Sequence, residues 1–113
     1  MRLKSALWVA AYLRRCQVEG LSAVVRRRGA EEAGAIFVRI CRLDGTSDLF
    51  GPAPQSALEP GATDRSFAAC LASQPAADAE IESRLARETK FDPDLWIVEI
   101  EDRAGRNFLT TVR

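Results

Sequence analysis

Glu99 and Glu101 lie two residues apart in an alternating segment near the end of the chain. On a β-strand, residues two apart project from the same face, so both carboxylates would point the same way. Two carboxylates so placed could share a divalent metal, as in metal-dependent nucleases. No lysine accompanies them, so we favour the alternative of two glutamates on a sheet face in water. Trp96, Val98 and Ile100 are then expected to face the core.

Arginines form the second candidate group. On a strand, Arg26 and Arg28 share one face and Arg27 points to the other. With Arg39 and Arg42 from a neighbouring strand they could form an anion-binding patch, because the guanidinium fork matches phosphate oxygens. That patch would define an RNA- or phosphate-binding module. The interpretation we favour is that these arginines pair with carboxylates elsewhere in the chain, because aromatic side chains for base stacking are not interleaved with them.

The third candidate group is the strip Trp8, Tyr12 and Arg15, whose spacing places all three on one side of a helix. An aromatic pair beside an arginine is typical of a protein interface if the strip is exposed. If the helix packs this strip against a sheet, the two rings belong to the core. We favour the core interpretation, because large aromatic side chains are mostly buried.

The residue types that are missing exclude several kinds of enzyme. The chain has no histidine, so Ser-His-Asp and Cys-His catalytic sets are excluded. Its three cysteines, Cys16, Cys41 and Cys70, are far apart, which argues against a zinc site and a disulfide framework. No phosphate-binding glycine loop followed by Lys-Ser/Thr is present, and no cofactor is predicted. We therefore expect a non-enzymatic binding or adaptor domain.

Charge is divided unevenly along the 113 residues, although the formal net charge is zero. Residues 1–43 hold nine basic and three acidic residues, a net charge of +6. Residues 44–113 hold seven basic and thirteen acidic residues, a net charge of −6. The two halves could cancel inside the fold or present separate basic and acidic faces. The sequence does not decide between these two arrangements, so nucleic-acid binding by a basic face stays an alternative.

Periodicity predicts the elements that must position these groups. The predicted helices are 3–18 and 78–90, and the predicted strands are 22–28, 35–43, 46–50, 95–102 and 106–112, with 66–72 open between strand and helix. Residues 51–64, rich in proline and glycine, are predicted to be a loop or an edge excursion and not a central strand. Residues 1–113 therefore form a single α+β domain, a mostly antiparallel sheet built from hairpins with two helices packed on one face.

Turn chemistry adds two expectations. Asp44-Gly45 predicts a two-residue hairpin turn, because both central residues of a type I′ turn require positive φ. The segment Arg103-Ala-Gly105 predicts a turn into a return strand.

A sheet built from hairpins has free edges, which invite a protein partner or self-association.

The N-terminal apolar run, residues 6–13, follows two basic residues as in a signal peptide. It is too short for a membrane span and lacks a small-x-small cleavage site. We therefore predict a cytoplasmic protein that does not insert into a membrane.

Several strings together resemble one bacterial family. They are Met-Arg-Leu-Lys-Ser-Ala-Leu-Trp at the start, Ala23-Val-Val-Arg-Arg-Arg-Gly29, Ala33-Gly-Ala-Ile-Phe-Val-Arg39, Leu49-Phe-Gly-Pro-Ala-Pro-Gln55 and Phe91-Asp-Pro-Asp-Leu-Trp-Ile-Val-Glu-Ile-Glu-Asp102. The family is domain of unknown function 1491, found mainly in alphaproteobacteria. The resemblance covers nearly the whole chain and implies a small cytoplasmic bacterial protein. It supplies no catalytic residues, so the functional prediction rests on the residues above.

Overall fold

The computed structural model describes residues 3–54 and 65–112. Within these residues the chain forms two α-helices and six β-strands. Their order is α1 (Ser5–Val18), β1 (Ser22–Arg27), β2 (Ile36–Cys41), β3 (Thr46–Pro52), β4 (Phe67–Ala69), β5 (Ala76–Ala77), α2 (Asp78–Phe91) and β6 (Trp96–Glu101). Residues 51 and 52 of the segment predicted as a loop or an edge excursion belong to β3, and residues 55–64 lie outside the described residues.

The strands form one sheet in the order β1-β6-β2-β3-β4, and β5 also pairs with β3. The β6–β2 pair is parallel, and every other described pair is antiparallel. This confirms the predicted α+β class and the mostly antiparallel sheet. The last strand in the sequence thus lies in the middle of the sheet, between β1 and β2.

The two helices pack on opposite faces of the sheet, so the predicted placement of both on one face is wrong. Val9, Tyr12 and Cys16 of α1 join the buried cluster that contains Trp96 and Val98. The other face carries a second buried cluster, which contains Ile81 and Leu85 of α2 together with Phe37, Leu49 and Ile97 of the sheet. The physical reason is that β2 and β6 carry apolar residues on both faces, with Phe37 and Ile97 opposite the face of Val38 and Val98, so each face needs a cover.

Residues 106–112 do not form the predicted return strand. Both edges of β6 are already paired, with β1 and with β2, so β6 has no edge left for it. The segment instead runs beside β4, where the Phe67 amide donates to the Thr110 carbonyl at 2.8 Å and the Val112 amide donates to the Phe67 carbonyl at 2.8 Å. Residues 66–72, ambiguous in the sequence, contain the short strand β4 followed by a turn.

The β2–β3 hairpin exists, but its connection has three residues where two were predicted. The Arg42 amide donates to the Thr46 carbonyl at 3.0 Å, which leaves residues 43–45 as the loop. Positive φ occurs at Leu43 (64°) and Gly45 (90°), on either side of Asp44. The Asp44 carboxylate instead accepts hydrogen bonds from the amide of Thr46 at 3.0 Å and its hydroxyl at 2.6 Å, which stabilises the turn.

Neither α1 nor α2 is long and apolar enough to cross a lipid bilayer, and they are the only helices among the described residues.

Candidate functional site

Two of the predicted arginines meet three carboxylates between α2 and the sheet, in a group that we call the ion cluster: Arg26, Arg39, Asp78, Glu82 and Glu99. Arg26 bonds to Glu82 at 2.6 Å and to Glu99 at 2.8 Å. Arg39 bonds to Asp78 at 3.1 Å, to Glu99 at 3.2 Å and also to Glu82. The ion cluster therefore joins the basic first half of the chain to the acidic second half.

Strand order and helix spacing bring the ion cluster together. Arg39 and Glu99 are register partners in the parallel β2–β6 pair. Arg26 reaches the same point from β1, beside an irregularity in the β1–β6 register between Val25 and Arg27. Asp78 and Glu82 are four residues apart on α2, so they lie on one face of the helix. Since these residues come from four elements, only the assembled sheet places them within bonding distance.

Arg39 is the most buried member of the ion cluster, with only 6% of the residue exposed. Its Nε also donates to the Ser47 hydroxyl at 3.1 Å, and that hydroxyl donates to Asp78 at 2.6 Å. Hydrogen bonding from Arg26 holds the pKa of Glu82 below its ordinary value. The same hydrogen bond raises the pKa of Arg26. Both groups are therefore charged at neutral pH, and the charges are matched within the fold.

The remaining two predicted anion-binding arginines lie elsewhere. Arg42 bonds to Asp48 at 2.8 Å. Arg28 places its guanidinium over the Trp96 ring, 5.2 Å from the ring centroid. The structure thus brings Arg26 and Arg39 together but does not assemble all four into one patch. Their anion-binding role stays a prediction.

Glu99 and Glu101 occupy different surroundings, although both belong to β6. The expectation that both face water is wrong for Glu99, whose side chain is 23% exposed and bonded to Arg26 and Arg39. The reason is that α2 covers this face of the sheet. Glu101 is exposed, and Trp96, Val98 and Ile100 are buried as predicted.

No group of three or more His, Cys, Asp or Glu side chains in the described part of the chain could hold a metal ion. Glu99 would have to give up two guanidinium partners before it could bind a metal. The metal-binding role of Glu99 and Glu101 stays a prediction.

The aromatic strip is brought together on α1. The Trp8 and Tyr12 rings stack with their centroids 4.8 Å apart. Tyr12 is 5% exposed, and its hydroxyl donates to the Asn107 carbonyl at 2.6 Å. Arg15 lies over the Phe108 ring, 5.0 Å from its centroid. The C-terminal segment thus contacts this strip, and Tyr12 belongs to the core as favoured. A partner-binding role for the three residues stays a prediction.

Sequence reasoning expected free sheet edges but did not identify the open one. β1 pairs with β6 on one side and, among the described residues, with no strand on the other. Val24 and Val25 on this strand are 54% and 37% exposed. We call the outer side of Ser22–Val25 the β1 edge. One signal in the sequence could have pointed to β1 as an edge strand. It is a short strand with β-branched residues, and no tight hairpin turn joins it to the next strand.

These features define a class of protein: a small α+β domain with a helix on each face of a mixed sheet and its central charges paired internally. The chain belongs to the DUF1491 family, whose description is "Protein of unknown function (DUF1491)" and whose profile matches residues 3–110. This confirms the predicted family.

Solved structures support that assignment. The chain is similar to protein Atu0922 from A. tumefaciens, with 45% identity, a TM-score of 0.82 and coverage of 99% of this chain and 96% of that one. It is also similar to a DUF1491 family protein from Caulobacter crescentus, whose crystal structure gives 34% identity, a TM-score of 0.81 and full coverage of both chains. Both organisms are alphaproteobacteria. No curated protein matches the chain.

Proposed function

We propose that this chain is a non-enzymatic protein-binding domain that takes an extended segment of a partner protein along the β1 edge. The observation that carries the proposal is the open side of β1, which exposes two valines in mid-strand. An extended segment can add to such an edge through main-chain hydrogen bonds, while side-chain contacts select its sequence.

The side chains along β1 suggest the chemistry of the partner segment. Val24 and Val25 favour apolar, β-branched residues opposite them, because such cross-strand pairs stabilise a sheet. Beyond the register irregularity lie Arg27 and Arg28. Arg27 donates to the Pro93 carbonyl at 2.6 Å, and neither arginine has a carboxylate partner among the described residues. We therefore propose a segment of β-branched residues with an acidic end.

Two observations support protein binding over the alternatives, and a third concerns location. Arg26, Arg39 and Arg42 are already paired with carboxylates of the chain, so an RNA phosphate would have to displace them. Glu99 is likewise engaged by arginines, which weakens the nuclease alternative. The three cysteines are free thiols, which supports a cytoplasmic site of action.

The proposal is tested by recovering the tagged full chain from its native cell as wild type, as Val24→Lys and as Val18→Lys. Val18 is 73% exposed on α1, so it is a matched control away from the β1 edge. A photo-reactive residue at position 24 then maps the segment that lies against the edge. We expect a partner that is lost with Val24→Lys, kept with Val18→Lys, and cross-linked through an apolar segment with an acidic end.

Equal recovery of every bound protein by the two lysine variants would overturn the proposal. A second result would also overturn the proposal. If the wild type recovers RNA that high salt removes, and Val24→Lys recovers the same amount, RNA binding by the arginine patch is favoured instead.

A further inference from the structure

We infer that the outer side of α2 carries a second site, for a small ligand that joins an aromatic ring to a carboxylate or phosphate group. Two adjoining shallow cavities of about 510 Å³ and 310 Å³, both open to solvent, share Arg84 and Arg87 in their lining, and the smaller one lies on α2 alone. The larger volume lies in the range of ordinary small-molecule sites. This inference is independent of the β1 edge, because β1 contributes no residue to either cavity.

Arg84 and Arg87 offer two different kinds of anion contact. The Arg84 guanidinium is fixed by Nε, which donates to Glu88 at 2.7 Å, and by Nη1, which donates to the Cys70 carbonyl at 2.8 Å. Its Nη2 makes no hydrogen bond to a described residue. Arg87 is exposed and has no ion pair within the described part of the chain. One oriented and one uncommitted guanidinium can hold an anion between them.

The smaller cavity adds an aromatic surface. Phe91 lines it and is 92% exposed, more than any other large hydrophobic residue described. Arg84, Arg87 and Phe91 are spaced by three and four residues, so they form one stripe along the helix. A ring bound against Phe91 would therefore lie next to the guanidinium of Arg87, with its anionic group directed toward the arginines.

The other charged groups set the position of the anion. Glu88 is already matched by Arg84. Glu80 lines the larger cavity one helical turn before Arg84, so an anion is disfavoured at that end. Cys70 also lines this cavity, and burial raises its pKa to about 11, so its thiol is neutral at physiological pH. The anionic group therefore belongs at the wall shared by the two cavities, beside Arg84 and Arg87.

The test is an NMR titration of the isotopically labelled full chain with phenyl phosphate, in parallel with inorganic phosphate and phenol. We expect saturable shifts at the amides around Arg87, Phe91 and Leu71, which lines the larger cavity, and weaker binding of inorganic phosphate and of phenol. Arg87→Gln should weaken the binding of phenyl phosphate about tenfold, because one charge-assisted contact is lost, and Phe91→Ala should weaken it by up to about tenfold, because one aromatic contact is lost. Both side chains are exposed, so the variants should keep the fold.

Arg103→Gln is the matched control, because Arg103 is also exposed and lies after β6, outside both cavities. It should bind phenyl phosphate like the wild type. If Arg103→Gln and Arg87→Gln lose the same affinity for phenyl phosphate, the ligand is attracted by overall charge and not by a defined site, and the inference is overturned. Absence of saturable shifts in the wild type would overturn it as well, whatever the outcome at the β1 edge.

Discussion

Arg39 illustrates how a single residue depends on its partners. It is almost fully buried, and its guanidinium is bonded to side chains from α2, β3 and β6. A buried charge is tolerated only when nearby groups compensate the loss of water. The carboxylates around Arg39 are therefore structural partners. Removing one should lower the stability of the fold, although the sequence alone suggests that they are surface residues.

Glu99→Gln and Glu101→Gln form a matched pair of variants on the same strand. We expect Glu99→Gln to lower the free energy of unfolding by about 1 kcal/mol, because it weakens bonds to Arg26 and Arg39. Glu101→Gln should change it by less than about 0.5 kcal/mol, because Glu101 is exposed. Urea unfolding of both variants measures the difference. Equal stability in the two would contradict the bonding assigned to Glu99.

At the scale of elements, α2 is held to the sheet in two ways. Ile81 and Leu85 are buried against Phe37 and Ile97, and this contact does not depend on pH. The ion cluster adds a second attachment that involves carboxylates of the helix. The attachment of α2 should therefore weaken in acid while its apolar contact remains.

Glu82→Gln tests this pH dependence. The pKa of Glu82 is lowered in the folded chain by its hydrogen bond to Arg26, so the folded state binds this proton less readily than the unfolded state. Its stabilisation is present above the unfolded pKa of about 4.3 and is lost as the pH falls through the lower folded value.

We expect wild type to be more stable than Glu82→Gln at pH 7 and the difference to shrink below about pH 4. Urea unfolding of both chains over this pH range measures it. Asp102, whose pKa is also lowered by its bond to Arg106, titrates in both chains and so cancels in the comparison. A difference that stays constant with pH would rule out this role for Glu82.

The β2–β3 hairpin provides a second test at this scale. Gly45 has φ of 90°, and a Cβ added there would meet no atom within 4 Å, so a substitution is opposed by backbone conformation alone. Gly45→Val should lower stability by more than about 1 kcal/mol, because β-branched residues resist positive φ. Gly45→Asn should cost less, since asparagine tolerates this region. Thermal melting compares them, and wild-type melting of the valine variant would refute the assignment.

At the scale of the whole molecule, folding cancels part of the division of charge along the chain. Arg26, Arg39 and Arg42 belong to the basic half, and each bonds to carboxylates of the acidic half. The ion cluster lies between α2 and the sheet, and Arg42 pairs separately with Asp48 of β3, so these arginines do not form one surface patch. The folded molecule should therefore attract polyanions much less than its first 43 residues alone would suggest.

Heparin chromatography tests this cancellation. We expect little retention of the wild type even at low salt, because the arginines of the ion cluster are engaged by carboxylates. The double variant Arg26→Ala, Arg28→Ala should then lose stability without a change in retention, since Glu82 and Glu99 lose a partner. Strong wild-type retention that falls steeply as the salt concentration rises would contradict internal pairing.

Local physical chemistry determined both helices, the four longer strands β1, β2, β3 and β6, and much of the core of this protein. Helical periodicity placed Ile81 and Leu85 on one stripe, and strand alternation placed Trp96 and Val98 on one face, because both periods follow from backbone geometry. The proline after Phe91 ends α2 for an equally local reason. Such signals depend only on neighbours in the chain, so the sequence alone carries them.

Only the tertiary structure decided which face each helix covers and which strand lies between which. β6 lies between β1 and β2, and this order brings Glu99 to Arg26, 73 residues away in the sequence. A period of two says that alternate residues of β6 share a face, but it does not say that α2 covers the face of Glu99. The residue types of the candidate groups were therefore readable from the sequence, whereas their partners depend on long-range packing that no local pattern encodes.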